Sequence, residues 1–180
     1  MTLEQAVEAC GEKGFHLAFR LTGNVEEAKE LVQEAFVRLI SRWETYDRSL
    51  PVENWFMTIL RNIYVDHCKR YERRNGVSLD AVLGSPEGET FADRLADEAE
   101  LPLLERLERR ETSDLVQRAL ASLTDEHRAI LTLTDMEGLR YEDAAEVMGL
   151  PLGTVRSRVS RARAALKRAL TALGQEVGEA

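Results

Sequence analysis

Between Tyr141 and Arg168 the chain reads YEDAAEVMGLPLGTVRSRVSRARAALKR, the stretch that most restricts its possible folds. It divides into two short helical segments around a tight turn. The first, Tyr141 to Met148, is rich in alanine and suits close packing. Gly149 serves where the backbone must turn and a side chain would crowd it. Pro151 suits the first turn of a new helix, where its missing N–H would have no partner anyway. In the second segment Val155, Val159, Ala162 and Leu166 fall at i, i+4, i+7 and i+11, one apolar stripe. Arg156, Ser157, Ser160, Arg161, Lys167 and Arg168 lie away from that stripe, with Arg158 and Arg163 at its margins. From Thr154 to Arg168 there are six bases and no acid.

A short turn leading into a helix with one apolar edge and an uncompensated cationic face is how helix-turn-helix proteins address a DNA major groove. A solvated basic helix in a bundle would show a similar charge run, but the turn chemistry and the missing acids favour DNA. The formal net charge of −8 points the other way until its distribution is read. Eight acids against Arg94 alone, from Asn75 to Glu105, give −7; five bases against Asp66 and Glu72, from Arg61 to Arg74, give +3. The whole-chain value therefore hides two basic surfaces.

Taken in order, residues 3–22 carry a first helical pattern ending at Gly23-Asn24. Asn24 can cap the next helix, and Glu27 three residues on suggests a capping box. From Val25 to Arg42 the positions Ala28, Leu31, Val32, Ala35, Phe36, Leu39 and Ile40 keep a helical period. Trp43 to Leu50 reads as a loop. Pro51 opens a helix to about Arg74, with Trp55, Ile59 and Ile63 on one side and a basic end, CKRYERR. Phe15, Phe19, Phe36 and Phe56 read as packing residues; Trp43, Tyr46, Trp55 and Tyr64 cluster near the loop and basic helix, with Trp55 equally compatible with core. Asn75 to about Glu100 is Gly-containing, acidic and weakly periodic, a linker. Helical signals resume from Leu101, through Leu115, Leu120 and Leu123, a Thr124 cap, and then Ile130, Leu133 and Met136, with Gly138 as a stop. No segment alternates with period two. The fold class is all-α: a helical domain at 1–74, an acidic linker at 75–105, a second helical domain at 106–172 and a tail at 173–180.

LTDEHRAILTLTDMEGLRYEDAAEVMGLPLGTVRSRVSRARAALKRAL resembles region 4 of the extracytoplasmic-function (ECF) sigma factors of the bacterial sigma-70 class, the domain that reads the promoter −35 element. FRLTGNVEEAKELVQEAFVRL and NWFMTILRNIYVDHCKRYERR are similar to the first part and the promoter-melting part of region 2. The resemblance implies no enzyme chemistry and no cofactor. It implies a protein that binds core RNA polymerase, directs it to promoter DNA (duplex at −35, melted at −10) and helps open the duplex. An anti-sigma partner is implied as well.

Position by position, Glu30, Leu31, Gln33, Glu34 and Phe36 match the family's polymerase-docking segment, with Glu30 where aspartate is usual. The loop Tyr46 to Val52 matches the specificity loop, and Asn54, Trp55, Arg61, Asn62 and Asp66 match the −10 recognition face. Lys69, Arg70 and Arg73 extend a cationic track beside it, the kind of surface that holds single-stranded DNA with aromatic faces. Arg156, Ser157, Arg158, Ser160 and Arg161 match recognition-helix positions; Arg163, Lys167 and Arg168 suit phosphates. Arg140 stands where family members commonly have a capping serine, a loss of ~1 kcal/mol. The acidic linker is expected to track basic channels of the polymerase and, in the free protein, to lie against the DNA-binding faces.

The alternatives are a helix-turn-helix repressor or activator that binds duplex DNA alone, and an enzyme or metal protein. His16, His67 and His127 with Cys10 and Cys68 are the soft ligands, and none has zinc spacing. The two lone cysteines read as thiols, Cys68 as a buried thiol rather than a redox handle. No apolar run reaches the ~20 residues of a membrane span. The N-terminus lacks a signal-peptide hydrophobic region, so the expected location is the bacterial cytoplasm.

Overall fold

The computed structural model describes residues 1–75 and 103–178, with side chains at 1–71 and 112–175. The readings of the acidic linker fall on residues 76–102 and so lie outside the described residues, as do the side chains of Arg73 and Arg74. Among the described residues the fold is all-α. The helices are α1 (Leu3–Thr22), α2 (Val25–Ser41), α3 (Val52–Asn75), α4 (Leu103–Ala121), α5 (Asp125–Leu131), α6 (Tyr141–Met148) and α7 (Leu152–Gly178).

The predicted punctuation is largely what the chain uses. Gly23 ends α1 in the left-handed region at φ 72°, and Asn24 Oδ1 accepts the amides of Glu26 and Glu27. Glu27 does not complete a capping box, because the Asn24 N–H is already taken by the Thr22 hydroxyl at 3.3 Å. The reciprocal box is made at the start of α1, by Thr2 and Gln5. Helices α1 to α3 pack around Leu17, Leu21, Leu31, Leu39, Phe56, Leu60 and Ile63, all buried. Gly14 lets α1 approach α3: a Cβ there would stand 2.3 Å from a ring carbon of Phe56.

In the second half α4, α5, α6 and α7 enclose Leu120, Ile130, Leu131, Leu133, Val147, Val155 and Val159. The segment read as one helix to Gly138 divides. After Leu131 the turn widens, with the Glu137 N–H bonding the Thr132 carbonyl five residues back at 2.9 Å. The Thr132 and Thr134 hydroxyls bond the carbonyls of Arg128 and Ile130, and such back-bonding loosens a helix. Helix α7 runs on through residues 173–178, which the sequence suggested as a tail.

The two halves touch. Helix α3 packs on α6, and α1 packs on α4 and α5, so one apolar cluster runs through both.

Candidate polymerase and DNA interface

The turn of the helix-turn-helix is made as its residues dictate. Gly149 takes φ 64° and its N–H reaches back to the carbonyls of Ala145 and Glu146, while the Leu150 N–H bonds the Ala145 carbonyl at 3.0 Å. Pro151 stands just before α7, and its carbonyl accepts the Val155 N–H at 3.1 Å. Val155, Val159 and Ala162 are buried and Leu166 is half-buried, so the apolar stripe faces the core. Arg156, Ser157, Ser160, Arg161, Lys167 and Arg168 are therefore turned outward and exposed. Arg158 is not: its side chain is 17% exposed and pairs with Glu126 at 3.0 Å. Arg163 is exposed yet engaged, forking onto both oxygens of Asp135 at 2.8 Å. That fork holds the Asp135 carboxyl below its ordinary pKa and ties α7 to the widened turn. Arg140 provides no cap for α6 and forks onto Asp143 instead, at 2.9 and 3.2 Å.

On α2, Glu30 and Gln33 are exposed, and Glu34 is half-buried between Arg38 and His67. Leu31 is a core residue at 2% exposure, and Phe36 stacks on Phe56 with ring centroids 4.6 Å apart. Sequence reasoning placed Ile40 with the core and passed over Val37. They are 51% and 61% exposed, beside Glu30 and Gln33 on the outer face. Val37, an apolar residue inside the polar register of Lys29 and Gln33, was the available signal.

The loop after α2 carries three aromatic rings in contact. Tyr46 stacks on Trp43 at 5.5 Å and on Trp55 at 4.7 Å, and Trp43 meets Trp55 at 6.5 Å. All three are half-buried, so Trp55 is neither core nor free. The Tyr46 hydroxyl donates to the Leu50 carbonyl and clips the loop, while Asp47 accepts the Ser49 N–H at 2.9 Å. Beyond the loop, Asn62, Asp66, Lys69 and Arg70 are exposed along α3. Asn54 and Arg61 are not open to solvent in the same way. Asn54 is 8% exposed and bonds Asp143 of α6. Arg61 is half-buried beside Glu126 and Arg158, its Nε buried without a hydrogen-bond partner.

Tyr64, grouped with the DNA-facing aromatics on sequence, is 2% exposed. Its hydroxyl donates to Asp125 Oδ1 at 2.7 Å and accepts from Arg128 at 2.7 Å. Arg128, which the sequence gave no reason to single out, is 1% exposed and uses all five N–H groups. Nε donates to the Leu120 carbonyl, Nη2 to those of Ala121 and Leu123, and Nη1 to Leu21 and Tyr64, at 2.7 to 3.0 Å. Burial pushes the thiols of Cys10 and Cys68 up to about 12, so both stay protonated at neutral pH. Among the described residues no cluster of His, Cys, Asp or Glu is placed to hold a metal, and no helix is long and apolar enough to cross a membrane.

Two family descriptions match separate stretches of the chain. The family described as "Sigma-70 region 2" matches residues 6–74, and "Sigma-70, region 4" matches residues 113–166. The chain is 28% identical to the ECF RNA polymerase sigma factor SigW of Bacillus subtilis (strain 168), over 91% of this chain and 86% of that one. It is 33% identical to the RNA polymerase sigma-H factor of Pseudomonas aeruginosa, over 89% of this chain and 81% of the relative. Identity to SigE of Mycolicibacterium smegmatis is 35% over 91% of this chain, which spans 60% of that longer protein. Among solved structures, the sigma factor RpoE of Bartonella quintana, crystallised with the anti-sigma factor NepR, superposes with a TM-score of 0.70 at 26% identity. That match covers 93% of this chain and 96% of RpoE.

Proposed function

The chain belongs to the ECF group of the sigma-70 family, and from that premise we propose how its surfaces divide the work of initiation. It binds core RNA polymerase, directs it to specific promoters and assists opening of the duplex. The observation that carries this is the order of the parts: a region 2 with an open α2 face and an aromatic loop, followed by a region 4 whose recognition helix presents uncompensated arginines.

Docking on polymerase falls to the outer face of α2, where Glu30 and Gln33 flank the exposed Val37 and Ile40. Exposed aliphatic groups between polar ones are what a partner surface can desolvate. The Trp43–Tyr46–Trp55 stack offers ring faces to bases of a melted strand, each stacked base worth ~1–3 kcal/mol. Lys69 and Arg70, with Asn62 and Asp66 beside them, line the path of its backbone. On α7, Arg156, Ser157, Ser160 and Arg161 read the −35 duplex. An arginine fork on a guanine edge discriminates by ~1–3 kcal/mol, and Lys167 and Arg168 meet phosphates, which position without specifying. Arg163 acts by holding α7 on Asp135. An anti-sigma factor is the expected regulator, by analogy with the relative crystallised in complex with NepR.

Co-elution with core polymerase tests the docking face. The wild-type chain should co-elute, and Val37→Asp should weaken that binding at least tenfold while leaving the circular dichroism unchanged. A promoter gel shift without polymerase that matches the shift with it would favour a repressor or activator instead.

A further inference from the structure

Apolar packing decides which side of the recognition helix faces inward, but not its roll. Val155, Val159, Ala162 and Leu166 turn toward the core, and apolar contact is non-directional. A roll of ~20° moves a side chain at the ~5–6 Å outer radius of a helix by about 2 Å. That is enough to lose a hydrogen bond to a base edge.

Two ion pairs stand at the two margins of the apolar stripe. Arg158 bonds Glu126, near the start of α5, at 3.0 Å, and Arg163 forks onto Asp135 in the widened turn at 2.8 Å. The two acids lie at opposite ends of one segment. Helix α7 is thus fastened on both sides of its buried edge and at two points along its length. The Tyr141 hydroxyl, at the start of α6, faces the same Arg163 guanidinium. One side chain therefore ties the widened turn to both helices of the motif.

The surroundings of Asp135 fit this contact. The widened turn carries Leu131, Thr132, Leu133 and Thr134 inward in succession and leaves Asp135 as the first residue outside. It stands three residues before Gly138, whose φ of 69° ends the segment. Free carbonyls at such an end repel a carboxylate. Arg163 offsets that repulsion, and the Thr134 hydroxyl lies 2.9 Å from Oδ1. As a source of stability an exposed ion pair counts for little; what a two-point fork supplies is direction.

Sequence position alone would send Arg163 to DNA. It follows Arg156 by seven residues and precedes Lys167 by four, so the three share one side of α7. We infer that Asp135 is a positioning residue of −35 recognition, which deepens the region 4 reading above and rests on it. It withholds Arg163 from the phosphates and, with Glu126 at the other margin, sets the roll at which Arg156, Ser160 and Arg161 meet base edges. An arginine already neutralised by a carboxylate adds nothing to counterion release, which separates the two roles.

The test uses the full-length chain in holoenzyme with core polymerase. Its probe is a promoter fragment that the holoenzyme selects from a duplex pool randomised in the −35 element. Two quantities decide: the affinity ratio between the selected and a scrambled −35 element, and the slope of log affinity against log salt. Asp135→Asn should lower the ratio about fivefold or more, the worth of one arginine–guanine fork, and leave the slope unchanged. Arg163→Lys keeps the charge but cannot fork, and should lose the ratio likewise. Combining Asp135→Arg with Arg163→Asp should recover discrimination that Arg163→Asp alone loses.

A phosphate-contacting Arg163 gives the opposite signs. Asp135→Asn would then free it, tighten binding to both elements and steepen the slope by ~0.9, while Arg163→Lys would change little. Either result overturns the proposal, as does an unchanged ratio in Asp135→Asn. The variants should keep wild-type helical content by circular dichroism; if Asp135→Asn does not, the Arg163→Lys chain decides. Absence of any −35 preference in the wild-type holoenzyme would instead sink the region 4 reading, and this proposal with it.

Discussion

Replacing Arg128 with alanine is expected to destabilise the fold measurably. It deletes five donors at once and strips a partner from four carbonyls and the Tyr64 hydroxyl. Tyr64 can still donate to Asp125, so its loss is small. Ala121 and Leu123 flank the exposed Ser122, and their carbonyls can recover water. The Leu120 carbonyl keeps the Leu123 N–H at 3.0 Å, whereas Leu21 is 1% exposed and its carbonyl is left without the Arg128 donor. At ~1–3 kcal/mol for that orphaned acceptor the loss is about 1–3 kcal/mol, a sizeable part of the ~5–15 kcal/mol that holds a native protein together. With a urea slope of ~1–3 kcal/mol per molar, the unfolding midpoint followed by circular dichroism should fall by about 1 M. Arg128→Lys keeps the charge but cannot fork, and should fall between alanine and wild type. A midpoint shift below ~0.5 M for alanine, or a lysine variant equal to wild type, would show that the buried fork does not stabilise the fold.

Gly14→Ala should destabilise region 2 despite the better helix former. Its Cβ meets the Phe56 ring, itself 1% exposed and stacked on Phe36, so overpacking of ~1–3 kcal/mol outweighs the ~1 kcal/mol of propensity and lowers the melting temperature. Asp135 and Asp143 have folded pKa values below their ordinary 3.8, held down mainly by hydrogen bonds from Arg163 and Arg140. Their contribution is present above the unfolded value and lost as pH falls through the folded one. Stability should therefore erode below about pH 4, and Asp135→Asn should flatten that limb of a pH–stability curve. In promoter binding by the holoenzyme, Arg156→Ala should relax preference at one −35 base pair by about 1–3 kcal/mol. Lys167→Ala should weaken all sequences alike and reduce the salt slope by about one.

The recognition helix and its turn were legible because each residue there is constrained locally: Gly149 by a positive φ, Val155, Val159 and Ala162 by a shared stripe. The caps at Asn24 and Thr124 were legible for the same reason. What escaped depends on contacts distant in sequence. Arg128 looks like any surface base of a helix, and its burial follows from α1 and α3 arriving from the other half. Tyr64 reads as a DNA-facing aromatic until Asp125 and Arg128 close over it. Ile40 keeps the apolar period of α2 yet stays open, because no helix among the described residues covers that side. Thr132 and Thr134 hide the widened turn, since back-bonding by hydroxyls leaves no periodic mark.

The most direct test is multi-round transcription on a promoter template by core polymerase, with and without this chain. Transcripts from a defined start should appear only when the chain is present and disappear when Arg156 and Arg161 are both replaced by alanine. Transcripts that do not depend on the chain, or none when it is bound to polymerase, would contradict its role as an initiation factor.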